Sequence, residues 1–224
     1  YKRQSPPTEI SHNITTVRIG RGAIQSYQGE PDAIAHKIFL EQILKDDPYM
    51  IVYTLWPLRV PGAPENQKAL AKLMEQNPKI VFMASELPIQ GDEASINLKP
   101  PFDKVRVAPG PISKDSNKYA ADDVSRRLLI FAEGKMLLHA ELAQKFNGIT
   151  DPLDYHGVFG AFSTYQTYTD FRPTGTYKPI EFSNVLQTLY PTGAFKDKIV
   201  IVGLDTSGDR QQYMMTPYSR EITG

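Results

Sequence analysis

Three short, nearly unbroken apolar runs govern what this chain can become: Tyr49 to Trp56, Lys79 to Ala84 and Lys198 to Val202. A strand with one wet face alternates apolar and polar residues. A strand that is apolar at almost every position has to be covered on both faces, which is the pattern of parallel strands between layers of helix. Helical patterns lie between the first elements. Asp32 stands where a helix cap belongs, ahead of a periodic segment reaching about Lys45 with Ile34, Ile38 or Phe39, and Ile43 as its inward positions. Asp47-Pro48 stops that segment. Glu65 to Gln76 repeats the period with Leu70, Leu73 and Met74 inward, and Asn77-Pro78 ends it. With a β-rich stretch at Ile14 to Ile19, the first 90 residues alternate strand and helix.

The fold class expected is α/β, with a mixed, largely parallel central sheet and helices on both faces. A long irregular loop over residues 87–118, rich in Pro, Gly, Lys and Asp, interrupts it, with one short strand near Val105 to Ala108. Beyond the loop, strands are expected at Arg126 to Phe131 and Tyr165 to Phe171. Helices are expected at Leu137 to Phe146, closed by Asn147-Gly148, and after Ser183, which reads as the cap of a short helix carrying Val185, Leu186 and Leu189. Gly157 to Ala161 reads as irregular, and Lys198 to Val202 as the last strand. Residues 1–13 form a polar lead-in around Pro6-Pro7, and residues 14–224 one domain.

Composition narrows the chemistry. There is no cysteine, so disulfides, thiol catalysis and Cys-ligated metals are excluded. Lysine plus arginine equals aspartate plus glutamate at 25 each, so no long-range field selects nucleic acid or an anionic surface. No apolar run reaches the ~18 residues of a membrane span. The four histidines, His12, His36, His139 and His156, make no metal-ligand spacing; His36 and His139 fall within helices and read as surface or boundary residues. No cofactor motif is present: there is no Gly-Lys-Ser/Thr loop, no Gly-x-Gly-x-x-Gly and no Gly-x-Ser-x-Gly elbow.

Ligands of open α/β sheets favour the carboxyl ends of strands, so candidate binding residues follow the apolar runs. Trp56 and Arg59 follow the first; the tryptophan can stack on a ligand or plug the core. Glu86 follows the second and reads as a cleft carboxylate or a solvated loop charge. Gly203-Leu-Asp-Thr-Ser-Gly208-Asp209 follows the third. Its backbone N–H groups can cradle an anion, or it is a plain strand-ending turn. Asp170 and Arg172 flank the end of the Tyr165 strand as a salt bridge or as polar guides of a pocket. The aromatics between Tyr155 and Phe182 suit a groove, a sheet core or a dimer face.

The tail also carries a family likeness. Phe195-Lys-Asp-Lys-Ile-Val-Ile-Val-Gly203, Asp209 and Thr216-Pro217 resemble the closing segment of CHASE2 domains, and Ile180 to Leu186 resembles the short helix before that segment. Asp122 to Arg127 resembles the family's D-G-V-x-R-R turn, with Asp123 in place of its glycine, and Tyr168 to Phe171 resembles the strand ahead of its Arg/Gly loop. The chain departs from the pattern where relatives carry acidic residues, reading Ile19-Gly-Arg21 and Tyr53-Thr-Leu55. The resemblance implies the extracytoplasmic input domain of a bacterial receptor, excised from a longer protein and anchored by transmembrane helices outside this stretch. It implies a cytoplasmic cyclase, diguanylate cyclase or histidine kinase as output, a small-molecule or protein ligand, no catalysis, and a homodimer in the whole receptor. A structural dimerisation module without a ligand is the alternative.

Overall fold

The computed structural model describes residues 11–54, 60–84, 98–110, 127–132, 134–148, 151, 157–161, 164–168, 176–204, 214–216 and 219–223. Its centre is a six-stranded sheet built from β1 (Ile14–Ile19), β2 (Met50–Tyr53), β3 (Ile80–Ala84), β4 (Val107–Pro109), β9 (Ile180–Glu181) and β10 (Ile199–Leu204). The order is β4-β3-β2-β10-β1-β9, and every neighbouring pair is parallel. Among the described residues, antiparallel pairing is confined to two separate sheets. One joins β5 (Arg127–Ala132), β6 (Lys135–Met136), β7 (Phe159–Ala161) and β8 (Thr164–Tyr168) in the order β6-β5-β8-β7; the other is the hairpin of β11 (Met214–Thr216) and β12 (Ser219–Thr223).

Handedness decides which face each connection covers. The steps β1 to β2, β2 to β3, β3 to β4 and β9 to β10 all move the same way across the sheet, so right-handed crossovers place them on one face. That face holds α1 (Arg21–Ser26), α2 (Ala33–Lys45), α3 (Pro64–Gln76) and α5 (Phe182–Leu186), together with Leu98, Phe102 and Val105 of the β3–β4 connection. The return from β4 to β9 runs the other way. Its helix, α4 (Leu138–Asn147), accordingly packs Leu138 and Leu142 on the opposite face, against Met50, Val52, Val81 and Ile199. Strand alternation supplies both faces: Ile51, Tyr53, Val200 and Val202 look one way, Met50, Val52 and Ile199 the other. The Arg106 guanidinium donates to both Glu141 carboxylate oxygens at 3.1 and 3.2 Å, tying α4 to the segment ahead of β4.

Several sequence expectations hold. Asp32 caps α2 by accepting from the Ala35 N–H at 2.9 Å. Gly148 closes α4 in the left-handed region at φ 67°. Others need correction. On α2, Ile43 is buried as expected and Phe39 rather than Ile38 takes the middle inward position; Ile34 and Ile38 are exposed, and Ala35, His36 and Leu40 are buried as well. Ser183 is not a cap, because Ile180 and Glu181 form a strand and α5 starts at Phe182, which puts Ser183 within the helix and leaves Leu189 63% exposed. Phe159–Ala161 is a strand, paired to β8. β10 is not the last strand, since the β11–β12 hairpin follows.

His36 is the other correction. It is fully buried on α2, within an aromatic cluster whose tightest pair is Phe39 on Phe182, centroids 4.5 Å apart. Its ring lies 5.2 Å from Phe182, and its Nδ1 shares a hydrogen bond with the Tyr53 hydroxyl at 3.3 Å. Nε2 has no partner among the described residues. Burial lowers the His36 pKa to about 4, against a weaker upward pull from Asp32, and burial raises Tyr53 well above its ordinary value. His139, half-buried on α4, is also lowered to about 4 by burial, with a smaller opposing effect from the Leu129 backbone.

Truncating the stacked ring in Phe182→Ala should cost about 3–5 kcal/mol in urea unfolding, because α2 and α5 both rest on it. Acid should also destabilise the fold. The unfolded chain protonates its histidines near pH 6.5, whereas folded His36 resists until about pH 4. The stabilisation is therefore complete above pH 6.5 and is lost as pH falls toward 4, by up to about 3 kcal/mol for this ring. Unfolding curves across that window should show the decline, and His36→Gln should remove the His36 share of it.

Candidate functional site

Because β1, β10, β2 and β3 run side by side in one direction, their ends Ile19, Leu204, Tyr53 and Ala84 lie along one edge of the sheet. The candidates Trp56, Arg59, Glu86, Asp205 and Asp209 come after these ends in sequence but lie outside the described residues, as do Asp170 and Arg172. Thr216 is the last residue of β11. What the described residues show at this edge are two polar ties between neighbouring elements. The Arg18 Nε donates to Glu181 Oε1 at 2.9 Å, and Nη2 bonds the same oxygen, so the exit of β1 is stitched to the start of α5. Thr54 donates both its N–H and its hydroxyl to the Val202 carbonyl, at 2.9 and 3.0 Å, fixing the exit of β2 to β10.

The opposite edge carries a cleft of about 310 Å³. Its origin is the shortness of β9. That strand pairs with β1 only at Val17↔Ile180 and Arg18↔Glu181, whereas β10 pairs with β1 along all of Ile14 to Ile19. Ile14, Thr15 and Thr16 therefore have no strand partner on the β9 side among the described residues, and the cleft opens beside them. The Ile199 N–H donates to the Asn13 carbonyl at 2.8 Å. Peptide groups alternate sides along a strand, so those of Ile14 and Thr16 turn toward the cleft.

Two further segments complete the walls. Thr176, Tyr177 and Lys178 lead into β9, and Pro191, Ala194 and Lys198 precede β10. The Thr15 hydroxyl donates to the Ala194 carbonyl at 3.0 Å and holds the second segment against β1. The turn there needs Gly193 at φ 71° and Asp197 at φ 55°. Nearby, the Phe195 N–H reaches Asp46 Oδ2 at 3.4 Å, while the Phe195 ring is fully buried. Lys198 is half-buried and Lys178 exposed, and neither has an ion-pair partner among the described residues. None of the described lining residues is acidic. The wall combines threonine hydroxyls, peptide groups and lysine side chains with the apolar surface of Ile14, Ile180 and Ala194, a mixture that can hold a ligand by directed hydrogen bonds and charge.

The sequence reading missed this cleft. Its only local trace is the set of lysines, small residues and hydroxyl residues at the entries of β1, β9 and β10, and the first of those entries lies far along the chain from the other two. Shifted titratable groups often mark active sites, but the strongly shifted pair His36 and Tyr53 is sealed at 0% and 1% exposure and is not part of the cleft lining. Among the described residues no helix is long and apolar enough to cross a membrane, and no group of three or more His, Asp or Glu could hold a metal ion.

No curated protein and no solved structure matches the chain. A family model does: the CHASE2 domain, over residues 2–224. The parallel sheet, the helices on both faces and the central final run agree with that assignment, and the chain belongs to the CHASE2 family, a family of extracytoplasmic sensory domains of signalling receptors.

Proposed function

We propose that this domain is the input module of a bacterial membrane-bound receptor, a cyclase, diguanylate cyclase or histidine kinase, and that it binds a ligand without transforming it. The observation that carries the reading is the placement of the cleft at the entries of both β1 and β10. Those strands are neighbours at the centre of the sheet, so an occupant there touches the core scaffold directly. β1 is also the first strand after the lead-in, so the same occupant acts where the chain enters the domain. Signalling requires only that the ligand prefer one of two arrangements of that entry, since a ligand shifts an equilibrium by its differential affinity and nothing more. Flanking transmembrane helices would carry the shift across the membrane.

A second reading, assembly without a small molecule, draws support from α2. Ile34 and Ile38 are 45% and 40% exposed and stand one turn apart, so they form a short apolar stripe that a second copy can cover.

A thermal-shift screen against metabolites separates the two. A ligand present at 100 times its Kd stabilises the folded state by about 2.7 kcal/mol, which raises the melting temperature of a domain this size by about 5–10 °C. At least one compound should do so, and the same compound should change the output of the full-length receptor. A screen with no stabiliser, together with a dimer that dissociates on Ile34→Lys or Ile38→Lys, would replace the first reading with the second.

A further inference from the structure

We propose that the cleft beside the free half of β1 is a site for a small organic anion, a carboxylate- or phosphate-bearing molecule with a short apolar body. This deepens the ligand-binding reading above and rests on it for its physiological meaning, but not for its chemistry. Three observations converge. The volume, about 310 Å³, lies at the lower end of the range for small-molecule sites and is too small for a folded partner. The charge of the described lining is one-sided: Lys178 and Lys198 line the cleft, none of the described lining residues is acidic, and neither lysine is engaged in an ion pair among the described residues. The remaining wall divides by chemistry. The Thr16 hydroxyl and the peptide groups of Ile14 supply directed hydrogen bonds on the β1 side, while Ile180, Pro191 and Ala194 supply apolar surface.

Lys198 is the distinctive member. It is half-buried, and its own carbonyl accepts from the Tyr49 N–H at 3.0 Å, so its backbone is held by the entry of β2. An ammonium group partly withdrawn from water interacts more strongly with an anion than a fully solvated one does. An anion drawn to Lys198 and Lys178 together spans the entries of β10 and β9, on either side of β1.

Backbone amide spectra of the 224-residue chain, titrated with benzoate, phenyl phosphate and benzamide, test the proposal. The first two differ in anionic group and identify which is preferred; benzamide keeps the shape of benzoate without the charge. At least one anion should shift the amides of Thr15, Thr16, Lys178 and Lys198 saturably, and benzamide should not. The double substitution K178Q/K198Q should weaken that anion at least tenfold while leaving resonances outside the cleft unmoved, and K196Q, at an exposed lysine outside the lining, should leave affinity within twofold. Absence of shifts with both anions, equal shifts with benzamide, or an equal loss in K196Q each overturns the site. A metabolite that stabilises the domain while shifting only other amides overturns the cleft and leaves the sensor reading standing. Anion binding in the cleft with no effect on full-length receptor output retains the site and removes its sensory role.

Discussion

The architecture depends on one insertion. β10, near the end of the chain, occupies the slot between β1 and β2, pairing with six residues on one side and four on the other. Without it the first strand and the second have no common neighbour, because β1 and β2 do not touch within the sheet. Val200 and Val202 on one face and Ile199 on the other are then enclosed by helices α2, α5 and α4, which explains the continuous apolar run. On the crowded face α5, the helix ahead of this strand, brings Phe182 against Phe39 and His36 of α2. Closure thus joins residues separated by most of the chain, a topology whose contacts are paid in loop entropy before they stabilise anything.

How much of this was legible follows from the kind of signal each element carries. β2, β3 and β10 were readable because burial on two faces leaves no freedom in composition. α2 and α3 were readable from Asp32, Pro48 and Pro78, residues that act on their own backbone. The buried face of α2 was legible only at Phe39 and Ile43. Ile34 and Ile38 are the apolar residues a periodicity argument selects, yet the helix turns Ala33, Ala35 and His36 inward, because close approach to Phe182 and Tyr53 favours small and flat side chains over branched ones. α1, with Gly22 in it and no side-chain cap, and β9, only two residues long, exist through their neighbours and leave no local mark.

The same distinction governs the site. Residues chosen because they follow strand ends, Trp56, Glu86 and Asp205 among them, rest on a general rule about α/β sheets. The cleft at the other edge arises from a length mismatch: β9 ends its pairing at Val17 while β10 continues to Ile14. A mismatch between two strands is a property of the assembled sheet, and no residue type announces it. Lys178 and Lys198 become a pair only because β9 and β10 flank β1.

The parallel run of β1 beside β10 has a mechanical meaning. The polypeptide enters β1 at one edge of the sheet and leaves β10 at the other, about 20 Å away along six residues of shared register. Tension between those two points drives the strands past each other lengthwise, so all rungs bear load together. A hairpin pulled at its open mouth, by contrast, yields rung by rung. A load applied across β1 and β10 would therefore displace the two strands as a unit, with little of it dissipated in unravelling.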